Sequence, residues 1–261
     1  MPVNADASEL DAPENVGTDA LPINEVFHSL QGEGKLAGVP STFVRTSGCN
    51  LRCWFCDSYH TSWEPTHGWF DIEDVVETVT EHGGTHVVVT GGEPMIHEGI
   101  EQLLNSLAER GYHTTVETNG TIFREAPVDL ASISPKLASS TPSEGRPPAG
   151  GSADVGTWQS RHEENRLDYE SLASLVEAYD FQLKFVVTNR EDMDEIQTLV
   201  DELRDVTSAR IQNDDVLLMP EGMTRERLAE TRDLTAELAI EYGYRYTPRL
   251  HVDLWNDAPG T

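Results

Sequence analysis

From His86 onward the chain keeps returning to one pattern. A short apolar run fit for a buried strand is followed by a longer stretch with helical spacing. His86–Thr90 (HVVVT), Thr114–Glu117, Asp129–Ile133, Gln182–Thr188 (QLKFVVT) and Asp215–Met219 (DVLLM) read as strands. Gly99–Arg110, Tyr169–Tyr179, Glu191–Leu203 and Arg225–Tyr242 read as helices, and Tyr244–His251 as a last strand. Asp71–His82 is a further helix, with Ile72, Val75, Val76 and Val79 on one face. Alternation of this kind predicts parallel βαβ units and an α/β fold. About six core strands favour an incomplete (β/α) barrel, with a doubly wound open sheet as the alternative. In both, ligands collect at the carboxyl ends of the strands.

The N-terminal region has a different texture. Residues 1–20 read as a disordered acidic tail, and residues 21–261 as one domain. Ile23–Phe27 is apolar, Ser29–Gly34 (SLQGEG) is a loop, and Ser41–Thr46 is β-rich. Residues 138–165, rich in Ser, Pro and Gly, read as a flexible insertion. The first twenty residues have neither a basic start nor an apolar core, so they do not read as a secretory signal. No apolar run reaches the roughly 18 residues of a membrane span.

The formal charge of −28 argues against nucleic acid as a direct ligand. Acids dispersed along the whole chain suit a salty cytoplasm, where repulsion is screened. Lysine occurs three times, as Lys35, Lys136 and Lys184. Lys35 reads as a solvated surface residue. For Lys184, on an apolar strand, a ligand role and a buried ion pair both stand open.

All three cysteines fall within Gly48-Cys49-Asn50-Leu51-Arg52-Cys53-Trp54-Phe55-Cys56-Asp57. An odd, clustered set does not make a disulfide framework and fits a reducing compartment. C-x3-C-x2-C can hold three corners of a 4Fe–4S cubane, leaving one iron open. Trp54 and Phe55 would keep water from it. Structural zinc, with His60 as a fourth ligand, and free buried thiols remain alternatives at this point.

Two segments then carry a resemblance. GCNLRCWFCD followed by VVVTGGEP resembles the radical S-adenosylmethionine superfamily. SLQGEG, the strand Phe43-Val44-Arg45 and Ser134-Pro135-Lys136 make the chain similar to one family within it, 7-carboxy-7-deazaguanine synthase, over roughly residues 22–255. The resemblance implies a 4Fe–4S cluster on Cys49, Cys53 and Cys56. It implies S-adenosylmethionine against Phe55, Asp57, Gly92, Ser134, Pro135 and Lys136. The substrate, 6-carboxy-5,6,7,8-tetrahydropterin, would meet Leu30, Gln31, Gly32, Arg45, Thr90 and His251, with Glu33 available to its aminopyrimidine. Mg²⁺ would bind Ser58, where most relatives carry threonine.

The reaction implied is a radical ring contraction with loss of ammonia, giving 7-carboxy-7-deazaguanine for the queuosine or archaeosine of tRNA. A ferredoxin or flavodoxin would supply electrons, and relatives are commonly homodimers. The plainer readings stand beside these. Arg45 could form an internal ion pair and Gly91-Gly92 could be a strand-end turn, while Glu117-Thr118-Asn119-Gly120, a polar strand end suited to ribose contacts, reads equally as a capped turn. A different radical enzyme, an activase that makes a glycyl radical on a partner protein, is the functional alternative.

Overall fold

The computed structural model describes residues 19–148, 155–256 and 258. The acidic tail expected over 1–20 lies outside the described residues except for its last two positions, and Ala20 already begins a strand. The elements run β1 Ala20–Leu30, β2 Pro40–Thr46, α1 Tyr59–Ser62, β3 Gly68–Asp71, α2 Ile72–His82, β4 His86–Gly91, α3 Ile100–Glu109, β5 His113–Thr118 and β6 Leu130–Ile133. They continue α4 Val155–Asn165, α5 Tyr169–Ala178, β7 Phe181–Val187, α6 Asp192–Val206, β8 Val216–Pro220, α7 Arg225–Tyr242, β9 Arg245–Tyr246 and α8 Leu250–Trp255.

One sheet holds every strand, in the order β3-β1-β2-β4-β5-β6-β7-β8-β9. From β2 to β9 all neighbours are parallel. β1 is antiparallel to β2, and β3 to β1. The two ends of this order do not pair, so the sheet curls without closing: an incomplete barrel.

Strand alternation divides its two faces. Along β7, Leu183, Phe185 and Val187 enter a core with Leu172 and Leu175 of α5 and Ile196 and Leu199 of α6. Along β4, Val87 and Val89 join Val44 of β2, Val76 of α2 and Leu103 of α3 in a second core. The intervening residues face inward, and at the carboxyl ends they line a cavity: Arg45, Thr90, Glu117, Lys184 and Met219. The helices therefore cover the outside, and their apolar stripes decide which alternate strand residues are left for chemistry.

Two expectations are corrected. The stretch 138–165 was read as a loop throughout, yet Val155–Asn165 is the helix α4. Residues 149–154, the Gly-rich part, lie outside the described residues. The last strand, expected over 244–251, is only Arg245–Tyr246. Pro248 lacks the N–H a ladder needs, and His251 sits on α8.

Candidate active site

The carboxyl ends of the parallel strands open into a cavity of ≈ 610 Å³. Cys49, Cys53 and Cys56 share its wall with Phe55, Asp57 and Ser58, all on the loop that follows β2. Leu30, Gln31 and Gly32 line it from the end of β1, Arg45 from β2, Thr90 and Gly92 from β4, Ser134 and Lys136 from β6, and His251 from α8. Of the residues assigned to cluster, S-adenosylmethionine, substrate or Mg²⁺, Pro135 alone is not on the lining; it is buried between two that are, and Trp54 also stands off the lining.

The glycines answer a steric need within the chain itself. A Cβ on Gly91 would collide with the Thr46 backbone, and one on Gly92 with the Gly48 carbonyl. The Gly pair lets the end of β4 press on the chain's own cysteine loop, fixed by Glu93 N–H to Gly48 O at 2.9 Å. Gly32 likewise leaves room for the His251 ring. The Glu93 side chain is fully buried and accepts from Met95 N–H, Thr118 Oγ1 and Asn119 N–H at 3.0, 2.8 and 2.6 Å. It ties β4 to β5 and is a structural carboxylate.

A chain of charges, buried except at its Asp57 end, crosses the cavity. Lys184 Nζ bonds Glu33 Oε2 and Glu117 Oε2, both at 2.7 Å. Arg249 Nε bonds Glu33 Oε1 at 3.0 Å, and its Nη2 pairs with Asp57. Gln31 Nε2 donates to Glu117 Oε1 at 3.1 Å. Burial alone would raise the Glu33 pKa, but Lys184 and Arg249 together hold it well below the usual carboxylate range. Asp57 is lowered by Arg249 against the same penalty. His251, 4.0 Å from Glu33, is lowered by burial and is neutral at pH 7.

The sequence left Lys184 undecided, and the structure makes it an ion-pair residue. Lys35 is not a free surface lysine: it bonds Asp215 Oδ1 at 2.6 Å and Phe181 O at 2.8 Å. Arg45 is not a free guanidinium either. Its Nη1 bonds Glu25 Oε1 at 2.5 Å and the group lies over the Phe27 ring. Its Nε, buried, has no hydrogen-bond partner among the described residues. Lys136 Nζ bonds Ser134 Oγ at 2.7 Å. Ser58 Oγ lies 3.4 Å from Asp57 Oδ1.

The Radical SAM superfamily model matches residues 43–139. Over the full length of both chains, the sequence is 58% identical to the 7-carboxy-7-deazaguanine synthase of Halobacterium salinarum. It is 39% identical to that of Rhodopirellula baltica, over 98% of this chain and 94% of the other. This chain belongs to the 7-carboxy-7-deazaguanine synthase family. The crystal structure of QueE from Escherichia coli agrees in fold, with a TM-score of 0.61 and 25% identity over 89% of this chain and 95% of that one. An activase of glycyl radicals is accordingly not favoured.

As a radical S-adenosylmethionine enzyme of the 7-carboxy-7-deazaguanine synthase family, the chain uses a 4Fe–4S cluster and S-adenosylmethionine. Its residues fit the cluster. The three cysteines are free thiols on one wall, and burial pushes Cys49 up to about 12 and Cys53 higher. Thiols so desolvated ionise against a cation, and iron is one. Among the described residues no three His, Cys, Asp or Glu side chains meet as a single-ion site would require. A cubane asks for no such meeting, because each thiolate takes its own iron.

Arg249 went unnoticed in the sequence: it stands in no motif and meets Glu33 across 216 residues. Glu117, legible only as part of a polar strand end, pairs with Lys184.

Proposed function

We propose that the chain converts 6-carboxy-5,6,7,8-tetrahydropterin to 7-carboxy-7-deazaguanine and ammonia, as a carbon–nitrogen lyase. Product and ammonia together contain the atoms of the substrate, so the reaction is redox-neutral overall. The observation that carries the reading is one cavity with a thiol wall and, facing it, an acid–amide edge beside an arginine. When bound, the cluster and S-adenosylmethionine supply a hydrogen-abstracting radical, directed at C6 of the pterin.

The side chains do the rest by positioning. A pterin presents a 2-amino group and a ring N–H side by side. Glu33, held ionised, accepts two bonds from Lys184 and Arg249 and has lone pairs left for both donors. Gln31 and the backbone of Leu30 and Gly32 border the same edge. Arg45 takes the substrate carboxylate on its Nε side, the atom without a partner, while Glu25 keeps the other side fixed. Neutral His251 can donate or accept at the ring. Ser58 would ligate Mg²⁺ beside the substrate, its hydroxyl replacing the usual threonine's. Phe55, Asp57, Gly92, Ser134 and Lys136 border the S-adenosylmethionine side, with Pro135 fixing the turn between the last two. Thr90 stands next to Arg45 in register and borders substrate.

Family membership also supports a ferredoxin or flavodoxin as electron donor and a homodimer. Among the described residues no helix is long and apolar enough to cross a membrane. With three reduced thiols and a strongly acidic surface, this favours a salty cytoplasm as the place of work.

Arg45→Ala tests the substrate assignment. KM for the carboxylated pterin should rise about 10- to 100-fold, the size of a lost charge-assisted bond. Preference over a pterin lacking the carboxylate should vanish, with iron content unchanged. An unaltered KM would remove Arg45 from the substrate site.

A further inference from the structure

Helix α4 is the element the sequence least announced, and it packs on the cysteine loop. His162, on its inner face, is fully buried. Its Nδ1 lies 3.1 Å from the Arg52 N–H, the peptide between Cys49 and Cys53. Its Nε2 lies 2.8 Å from Ser140 Oγ, four residues beyond Lys136. Ser140 Oγ already donates to Leu137 O at 2.6 Å. The hydroxyl proton is thereby committed, so Nε2 must carry the ring's proton and Nδ1 must accept. One neutral tautomer satisfies both bonds.

The same contact is reinforced on either side. Trp54 Nε1 donates to Ser139 O at 2.8 Å, and Trp54 N–H to Ser140 O at 3.2 Å. The Arg52 guanidinium stacks on Trp158 of α4 at 4.0 Å. The cysteine loop and the segment running on from Ser134-Pro135-Lys136 thus meet through one imidazole.

We propose that His162 is a positioning residue that locks the cysteine loop to the Ser134–Ser140 segment. The cluster and the S-adenosylmethionine then keep one relative geometry. The inference rests on the radical S-adenosylmethionine reading of this site. It adds a residue outside every motif, whose bond pattern serves two loops at once. Any buried imidazole needs both nitrogens satisfied; here the two partners lie one on each loop.

The test uses the full chain, reconstituted anaerobically with iron and sulfide, as wild type, His162→Leu and His162→Gln. Leucine fills the space and offers no bond. Glutamine can accept with Oε1 and donate with Nε2. Two quantities are read: iron loss to a chelator, and the electron paramagnetic resonance of the reduced cluster with S-adenosylmethionine added. His162→Leu should lose iron about tenfold faster, the factor one buried hydrogen bond carries. Its S-adenosylmethionine-shifted signal should broaden or split, and His162→Gln should restore both.

If His162→Leu does not fold by circular dichroism, Ser140→Ala removes the Nε2 partner, together with the bond to Leu137 O, and leaves the Nδ1 bond to Arg52 in place. It should give the same changes in smaller degree. A signal identical to wild type in His162→Leu, or in Ser140→Ala where that stands in, would overturn the proposal. Faster iron loss alone would not save it, because stability by itself explains that. A wild-type chain that takes up no cluster would overturn the radical reading, a result distinct from either.

Discussion

Glu33 lies between Lys184 and Arg249, and its usefulness depends on both. Lys184 is nearly fully buried and is shared with Glu117. Lys184→Met would take from Glu33 and Glu117 their shared cation, leaving Arg249 on Glu33 and, among the described residues, only the Gln31 amide on Glu117. Breaking a buried pair from one side costs roughly 3–5 kcal/mol, and chemical denaturation should read a loss of that order. A loss under about 1 kcal/mol would mean the network is not held in the folded state as described.

The sign with pH follows. The folded pKa of Glu33 is depressed, so its contribution is present above the unfolded carboxylate range and fades as pH falls toward the folded value. Without Lys184 the depression shrinks, and acid unfolding should begin at higher pH. At this scale the sequence was readable where residues stand in contiguous segments: the three cysteines, Gln31, Arg45, Ser134 and Lys136 all reach the cavity. It was silent for Arg249, which stands in no motif. It placed Glu117 at a polar strand end without its partner Lys184, because in a chain with 46 acids a carboxylate carries no signal of its own. The scarcity of lysine was the one compositional clue, and it did mark Lys184.

Among elements, the parallel strands and long helices were legible because their burial has a period. β7 alternates polar Gln182 and Lys184 with core Leu183 and Phe185, and α2 repeats its valines at helical spacing. Short or exposed elements lack that record. β3 has four residues with none buried. α8 has six residues, fewer than two turns. α4 buries only His162, so it offers no apolar stripe to read.

At the opposite end of the sheet from the cavity, Ser41, His86 and Thr115 link β2, β4 and β5 through one imidazole. Ser41 Oγ and Thr115 Oγ1 lie 2.6 and 2.8 Å from its nitrogens. Burial lowers His86 from 6.5 to about 4. As pH falls from about 6.5 to about 4 the unfolded chain takes a proton that the folded chain refuses, so stability is lost across that window. His86→Leu should cost about 1–3 kcal/mol at pH 7 and flatten the pH dependence in urea denaturation. An unchanged slope between pH 6.5 and 4 would contradict this.

For the whole molecule, the open parallel sheet explains why so many distant segments meet at one mouth. Each parallel strand delivers its carboxyl end to the same side, and α8 returns Arg249 and His251 to close on β1. Most of the acids among the described residues are exposed, while the cavity holds its acids against buried cations. Molar salt would therefore screen the surface while reaching the cavity pairs much less.

The most direct test is a single anaerobic turnover experiment in high salt. The reconstituted chain is given 6-carboxy-5,6,7,8-tetrahydropterin, S-adenosylmethionine, Mg²⁺ and a reductant. The expected outcome is 7-carboxy-7-deazaguanine in many equivalents of enzyme, with S-adenosylmethionine undiminished, and none from Cys53→Ala. Accumulation of 5′-deoxyadenosine without any deazaguanine product would contradict it.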